Sequence, residues 1–459
     1  MKLLFFLICT SLSVFADTDL THAPPSFSAD GKKAVFVDFK RAEYKITYDA
    51  ENGYAKSVST IEFYMPEAGY PIFDSVTKPT QITLNKKLTS EKLISTPDKA
   101  SVVRRIETPL ERGLHTMMIW TPLENGTRFN LRRKKWGHVS SGFFIRDLTD
   151  RKFLEQYVPS NYEYDTYQME FDVKVIGTKR WHSFFANGEI TKINENHYRV
   201  TMPQWYRSSS VYLHLVPINR FVRWYLDYPS IDGRKIPVTI YSNYNFYNRY
   251  VKTKAWATLK ELEADYGPYP HDQLIIYGTG LRGGMEHAGA TETSIVSLGH
   301  ELQHMYFAKN IHPVNGNSGW LDEAIASWRD KGHQTYQKPF YESVNLANHG
   351  AYIRKTDKRS YEYGRSFMAY LDHLLKESGK PGLKDFLRHY FQKRQRTGVT
   401  TEDFKSDLED YANMSFGEDF HQYIYGGKEE NSHLKHNHQK SFENPHHPQL
   451  TDEEFESLI

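Results

Sequence analysis

GHELQH at residues 299–304 and WLDE at residues 320–323 are the two stretches from which the rest of this sequence can be interpreted. His300 and His304 stand four positions apart, so on a helix both imidazoles lie on one face, roughly 5–6 Å apart at Cβ, close enough to bind one metal ion. Glu301 is offset around the helix and can reach a metal-bound water without binding the metal itself. The spacing therefore predicts a helix that carries two metal ligands and one acid–base group.

The residues around the two histidines also favour a helix, because apolar side chains recur there at three- and four-residue steps. These side chains are Ile295, Leu298, Leu302, Met305 and Tyr306. A catalytic zinc ion takes three protein ligands and keeps one position open for water. Glu323, which follows His304 after 18 intervening residues, supplies the third ligand from a second helical run. Two solvated histidines on a surface helix are the alternative, and the following carboxylate favours one Zn2+ per chain instead.

Two further motifs accompany this pattern, GGMEH at residues 283–287 and YEYG at residues 361–364. Together the four stretches resemble those of the gluzincin metallopeptidases related to aminopeptidase N, with their H-E-x-x-H, W-L-x-E, G-x-M-E-N and Y-E-K-G motifs. The match spans about residues 155–426. The resemblance implies an α+β fold, in which an N-terminal antiparallel, saddle-like β domain precedes a mostly helical, thermolysin-like catalytic domain.

The resemblance also implies the catalytic groups of a zinc metallopeptidase. Glu301 would act as general base on the zinc-activated water and then return the proton to the leaving amine. The hydroxyl of Tyr361, at the position of the family's catalytic tyrosine, would stabilise the oxyanion. Tyr363, which replaces the family's lysine, is the alternative donor.

Substrate recognition is implied for the GGMEH segment. Gly283 and Gly284 would align the substrate backbone, with Met285 beside it, because glycines permit a close approach of two backbones. Glu286 would bind the free α-amine of the substrate, so that the enzyme removes N-terminal residues. His287 differs from the asparagine of the family motif.

Other functions stay open at the level of the sequence. A zinc endopeptidase is one alternative, because an open cleft and His287 would relax the need for a free amine. In that case Glu286 would pair with Arg282 or another basic group and would not meet the substrate. A non-catalytic secreted binding protein that retains the fold is a further alternative, against which the intact set of ligands, base and tyrosine argues.

Composition and the N-terminus indicate the compartment. The chain has 459 residues, 58 basic and 56 acidic, and this balance gives no reason to expect a nucleic-acid partner. Residues 1–16 carry one lysine, a short apolar run and the ending VFA, the pattern of a cleaved signal peptide. The single cysteine, Cys9, lies within it, so the mature chain is expected to have no disulfide. The prediction is a secreted or periplasmic protein that acts on peptides and has no stable membrane insertion.

The remaining sequence divides by its periodicity. Residues 17–242 consist largely of β-rich runs, which predict one large antiparallel β domain. Residues 243–426 are mostly helical in pattern, apart from a short strand at 273–277 and a glycine-rich turn at 278–284, and form the predicted catalytic domain. Residues 427–459 are polar and His-rich and predict a disordered tail rather than a second metal site. The helical-repeat domain of larger relatives is lacking, which implies a short form with an open cleft.

Overall fold

The computed structural model describes residues 20, 22–123, 129–130, 137–143, 148–280, 283–314, 316–336 and 343–427, with the backbone alone for 129–130. The predicted signal peptide at residues 1–16 lies outside the described residues. So do Arg282 and the predicted tail beyond Gly427.

Short strands make up most of the N-terminal half of the chain. They are β1 (Phe27–Ala29), β2 (Lys32–Phe36), β3 (Asp38–Asp49), β4 (Tyr54–Met65), β5 (Tyr70–Phe73), β6 (Gln81–Leu84), β7 (Lys87–Thr89), β8 (Glu91–Ser95), β9 (Val102–Ile106), β10 (Gly113–Leu123), β11 (Phe129–Asn130), β12 (Ser140–Gly142), β13 (Gln168–Ile176), β14 (His182–Ala186), β15 (Glu189–Asn194), β16 (His197–Thr201) and β17 (Leu213–Pro217). Along β4 buried and more exposed side chains alternate, as expected for a strand with one face against a core.

These strands form three sheets. The largest has eight strands in the order β15-β16-β13-β3-β4-β10-β6-β7, and the others have the orders β1-β2-β5-β9-β8 and β11-β12-β17-β14. Most neighbours are antiparallel, but β13 runs parallel to β3 and β5 runs parallel to β2. The prediction of an antiparallel domain is therefore corrected to a mixed one. The parallel partners are joined by long connections rather than by hairpin turns, so local sequence does not fix their direction.

The C-terminal half combines a smaller sheet with most of the helices. Its strands are β18 (Val222–Pro229), β19 (Lys235–Ser242), β20 (Leu274–Gly278), β21 (Gly284–His287), β22 (Ala290–Thr293), β23 (His312–Pro313) and β24 (Gly398–Val399). Its helices are α1 (Asn245–Tyr266), α2 (Leu298–Phe307), α3 (Trp320–Arg329), α4 (Glu362–Glu377), α5 (Leu383–Arg394), α6 (Thr401–Ala412) and α7 (Gly417–Tyr423). Short 3-10 helices lie at Leu154–Gln156 and Lys358–Ser360.

One sheet of this half crosses the predicted domain boundary at residues 242 and 243. Its order is β18-β19-β20-β22-β21, so β18 and β19 pair with the sheet of the catalytic half although they precede the boundary. The predicted turn at 278–284 falls partly outside the described residues, at 281–282, and its last residue begins β21. This strand forms an antiparallel hairpin with β22 and ends the sheet. The edge of β21 is therefore placed beside the helices that follow.

Helices α1 to α7 share one hydrophobic core with this sheet. The apolar stripe predicted around the two histidines is buried in it, since Leu298, Leu302, Met305 and Tyr306 are all fully inaccessible. Trp320 of α3 is also fully buried and stands beside α4 and α6, where its indole N–H donates to Thr401 Oγ1 over 3.0 Å. The α+β class predicted from the sequence is confirmed. Within the described residues, every helix is too short or too polar to cross a membrane.

Candidate metal centre and active site

Two adjacent helices, α2 and α3, bring the three predicted metal ligands together. His300 and His304 lie one turn apart on α2, and Glu323 lies in the first turn of α3. One ligand atom from each of the three side chains falls within 4.8 Å of the others. The packing of Leu302 and Trp320 in the common core fixes the two helices against each other, so the ligand group rests on rigid elements.

The distances within this group fit a zinc ion. Glu323 Oε2 lies 3.3 Å from His300 Nε2 and 3.7 Å from His304 Nε2. Ligand atoms of a tetrahedral zinc site with bonds of about 2.1 Å are separated by roughly 3.4 Å, which is close to both values. All three side chains are at most 1% exposed, and a buried set of two imidazoles and one carboxylate is the ligand set of a catalytic zinc site.

Two further carboxylates orient the imidazoles. His300 Nδ1 donates to Asp330 Oδ2 over 3.1 Å, and His304 Nδ1 donates to Asp322 Oδ1. Because Nδ1 is the donor in both rings, the lone pair of each Nε2 is directed at the ligand group, where a metal would accept it. Sequence reasoning gave these aspartates no role. Asp322 could have been found from its place next to Glu323, whereas Asp330, just after the end of α3, carries no local signal.

The electrostatics of the group favour a cation at the Nε2 atoms. Burial by itself lowers the pKa of His300, but the hydrogen bonds to Asp330 and Glu323 raise it to about 10. The pKa of His304 is raised above its ordinary value as well, because the neighbouring Asp322 outweighs burial. A site that stabilises positive charge this strongly suits a divalent metal, which can replace the protons.

Tyr361 reaches the same group from the start of α4. Its hydroxyl donates to Glu323 Oε1, and its ring stacks at 14° on the ring of His300 with 6.4 Å between centroids. Tyr363, the alternative donor, packs against the hydrophobic core of the catalytic half. The structure therefore places Tyr361 at the predicted centre.

Glu301, the predicted general base, is fully buried between α2 and β21. A Cβ atom on Gly284 would come within 2.6 Å of Glu301 Cδ and Oε1, so any larger residue at this position would force the carboxyl group to move. Burial raises the pKa of the Glu301 carboxyl well above its ordinary value, and nearby His300 opposes this. A divalent cation at the ligand group would oppose it further. Gly284 thus has a steric role toward the base, in addition to its predicted role toward substrate.

Gly283, Met285 and His287 of the GGMEH segment contact other parts of the chain. The amide of Gly283 donates to Ser297 Oγ over 3.1 Å, so it is already satisfied within the chain. Met285 packs on Phe153. His287 is buried, and its Nδ1 donates to the carbonyl of Val211 over 2.9 Å. The histidine that departs from the family motif therefore links β21 to the N-terminal half of the chain.

Glu286 is the residue of this segment that reaches the catalytic groups. Its carboxylate forms a second cluster with Glu301 and His304, in which one ligand atom from each lies within 4.8 Å of the others. Lys309, two residues after α2, forms an ion pair with it, with 3.3 Å between Lys309 Nζ and Glu286 Oε1. Both side chains are buried, at 4% and 0% exposure. The sequence left open that a basic group would pair with Glu286, and Lys309 is such a group.

Comparison with known proteins defines the fold. No family model matches the chain, and no curated protein matches it in sequence. Among solved structures, a mutant M1 zinc metallopeptidase from Deinococcus radiodurans bound to a Tyr-Ser-Ala substrate matches with a TM-score of 0.59 and 14% identity, over 85% of this chain and 95% of that one. Yeast LTA4 hydrolase matches with a TM-score of 0.59 and 13% identity, over 85% of this chain and 68% of that one.

A third match is aminopeptidase A of Legionella pneumophila in complex with aspartic acid, with a TM-score of 0.62 and 13% identity, over 85% of this chain and 50% of that one. The chain therefore has the fold of the M1 zinc metallopeptidases. The resemblance predicted from the sequence motifs is confirmed at the level of the fold.

Proposed function

We propose that this protein is a zinc-dependent aminopeptidase that hydrolyses the N-terminal residue from peptides. One observation carries the proposal. The Glu286 carboxylate stands in one cluster with Glu301 and His304, so a group able to bind an ammonium lies next to both the base and the metal ligands. A substrate ammonium is strongly hydrated and enters a buried site only if an anion meets it there. Anchoring it at Glu286 would leave room for a single residue before the scissile bond.

The chain's own groups would divide the chemistry as follows. His300, His304 and Glu323 would hold a zinc ion, which would supply a Lewis acid able to lower the pKa of water toward neutrality. Glu301 accepts a proton from the attacking water and transfers it to the leaving amine. The hydroxyl of Tyr361, which stands at the ligand group, donates to the developing oxyanion.

Replacing Tyr361 with Phe is expected to lower kcat by roughly 10²–10³-fold, the effect of losing one oxyanion donor. The zinc content should be unchanged, because the hydroxyl contacts Glu323 Oε1, whereas Oε2 is the oxygen that faces the two imidazoles. Tyr361 itself does not belong to the ligand group. Steady-state kinetics and metal analysis of the same preparations measure both quantities. Tyr363→Phe is the matched control and should retain activity. The opposite pattern for the two variants would assign the donor to Tyr363.

The ion pair between Glu286 and Lys309 favours a second candidate function, that of a zinc endopeptidase. Glu286 already has a cation at 3.3 Å, so an incoming α-ammonium would have to compete with it. If Lys309 kept this position during turnover, peptides would bind without regard to a free N-terminus.

Kinetics on one peptide with a free or an acetylated N-terminus distinguish the two functions. For an aminopeptidase, acetylation should reduce kcat/KM of the wild type strongly, because it removes the charge that Glu286 recognises. In Glu286→Ala, cleavage of the free peptide should fall and acetylation should have little further effect. Equal cleavage of both peptides by the wild type would identify an endopeptidase.

A further inference from the structure

We propose that the substrate's first residue is acidic, aspartate or glutamate, and that Lys309 and Lys152 select it. The inference rests on the proposed aminopeptidase function, since it assigns the side-chain specificity of that same site. The buried ammonium group of Lys309 lies beside Glu286, the carboxylate that would bind the α-amine. Aminopeptidase chemistry does not require a cation at this position.

Two lysine ammonium groups lie close to the ring of Phe153. Lys309 Nζ lies 6.0 Å from the centre of the Phe153 ring, and Lys152 Nζ lies 4.9 Å from the centre of the same ring. Phe153 packs on Met285, the residue before Glu286. Lys309 is therefore close to both the Glu286 carboxylate and the Phe153 ring, and Lys152 is close to the same ring. Lys152 is held there by a hydrogen bond of 3.1 Å from its Nζ to Thr356 Oγ1.

Lys152 and Lys309 belong to a group of charged side chains around Glu163. Burial raises the pKa of the Glu163 carboxyl, although three nearby cations, Lys152, Lys309 and Arg207, all act to lower it. All three cations belong to residues that are at most 5% exposed. With Glu163, Glu286 and Glu301, which stands in one cluster with Glu286, the group has three basic and three acidic members, and burial disfavours the ionised form of Glu301. A buried ammonium is costly unless an anion compensates it, so a substrate carboxylate that reached Lys309 would be stabilised there.

An acidic first residue of the substrate is complementary to the ion pair between Glu286 and Lys309. Aspartate or glutamate at the N-terminus carries an ammonium and a carboxylate close together on one residue. When the ammonium binds Glu286 and the side-chain carboxylate binds Lys309, the two ion pairs are exchanged and each charge keeps an opposite partner. With a neutral first residue, the α-ammonium and Lys309 would share one carboxylate. A basic first residue would add a third cation, so the expected order is acidic, then neutral, then basic.

The wild-type enzyme tests this without any substitution. The zinc-loaded full chain is assayed on fluorogenic amides of Asp, Glu, Asn, Gln, Leu and Lys. The expected kcat/KM for Asp and Glu is about 10–100-fold above that for the isosteric Asn and Gln, the gain from one charge-assisted hydrogen bond. Equal values for the acidic residues and their amides would overturn the proposal.

Substitution of the lysine assigns the selectivity to a residue. Lys309→Met keeps a long side chain without the charge, and the Asp-to-Asn ratio of kcat/KM should fall toward one. Lys384→Met is the matched control, because Lys384 is 58% exposed on α5 and pairs with Asp265 Oδ1 at 3.1 Å. It should keep the wild-type ratio. Lys152→Met should also lower the ratio, and it replaces the first variant if Lys309→Met does not fold. An unchanged ratio in both variants would contradict the assignment.

The failure of this inference differs from the failure of the proposed function. If the zinc-loaded wild type cleaves none of the aminoacyl amides, the aminopeptidase function is wrong and the acidic specificity falls with it. If the Leu and Asn amides are cleaved with the same kcat/KM as the Asp amide, the aminopeptidase function stands. In that case only the selectivity is wrong, and Lys309 acts simply to neutralise Glu286.

Discussion

Replacing Glu301 with Gln is expected to reduce kcat by at least about 10²–10⁴-fold while the metal site stays intact. Glu301 is on the same helix as both histidine ligands, but it is not part of the group formed by His300, His304 and Glu323. The amide cannot accept a proton from water, nor can it return one to the leaving amine. The loss should therefore appear in kcat, as measured on a fluorogenic aminoacyl amide, with about one zinc per chain still bound.

The fold should tolerate this substitution. Glu301 is fully buried, and burial disfavours its ionised form, so a neutral amide of the same shape does not add a buried charge. We expect a melting temperature no lower than that of the wild type. Glu377→Gln, at a side chain 69% exposed on α4, is the matched control and should keep full activity. Near-wild-type kcat in Glu301→Gln would mean that another group takes the proton.

The metal-ligand group could be predicted because the spacing of its residues within one helix is visible in the sequence. His300 and His304 are related by one helical turn, and the apolar stripe that buries α2 is visible at the same spacing in the sequence. Glu323 required one further assumption, that the helix after a short connection packs against the first. Trp320, fully buried just before it, provides that packing.

The groups around the centre could not be predicted, because they arrive through tertiary packing. Asp330 reaches His300 only because the end of α3 lies beside α2, and no sequence spacing encodes that. Lys309 lies two residues beyond α2 and meets Glu286 of β21, which is 23 positions earlier in the chain. The contact of Lys309 with Glu286 depends on how the β21–β22 hairpin packs against α2. That packing is determined by the hydrophobic core of the catalytic half as a whole.

Strand β21, which begins at Gly284, is not predicted from the sequence. Residues 278–284 have the composition of a turn, and β21 is only four residues long, so periodicity carries little information there. Pairing of Gly284–His287 with β22 makes β21 the edge of a sheet. The same pairing directs Gly284 at Glu301, so the glycine serves the close approach of a carboxyl group rather than a flexible loop.

Replacing Glu323 with Ala is expected to abolish both zinc binding and activity. The substitution removes one of three ligands from the buried group and leaves the Nε2 atoms of His300 and His304 as the remaining donors within it. It also removes the carboxylate that Tyr361 contacts, so the hydroxyl loses its position at the site. After dialysis against a chelator and return to zinc-containing buffer, the wild type should recover about one zinc per chain together with its activity. Glu323→Ala should recover neither.

A graded control separates loss of a ligand from general damage to the site. Asp322 is the neighbour of Glu323 and acts on the metal only through His304, so Asp322→Asn should weaken zinc binding by about 10–100-fold without abolishing it. Competition with a chromogenic zinc chelator measures both affinities. In Asp322→Asn, activity should return at high zinc, because all three ligands are still present. A Glu323→Ala protein that bound zinc as tightly as Asp322→Asn and remained active would show that Glu323 is not a ligand.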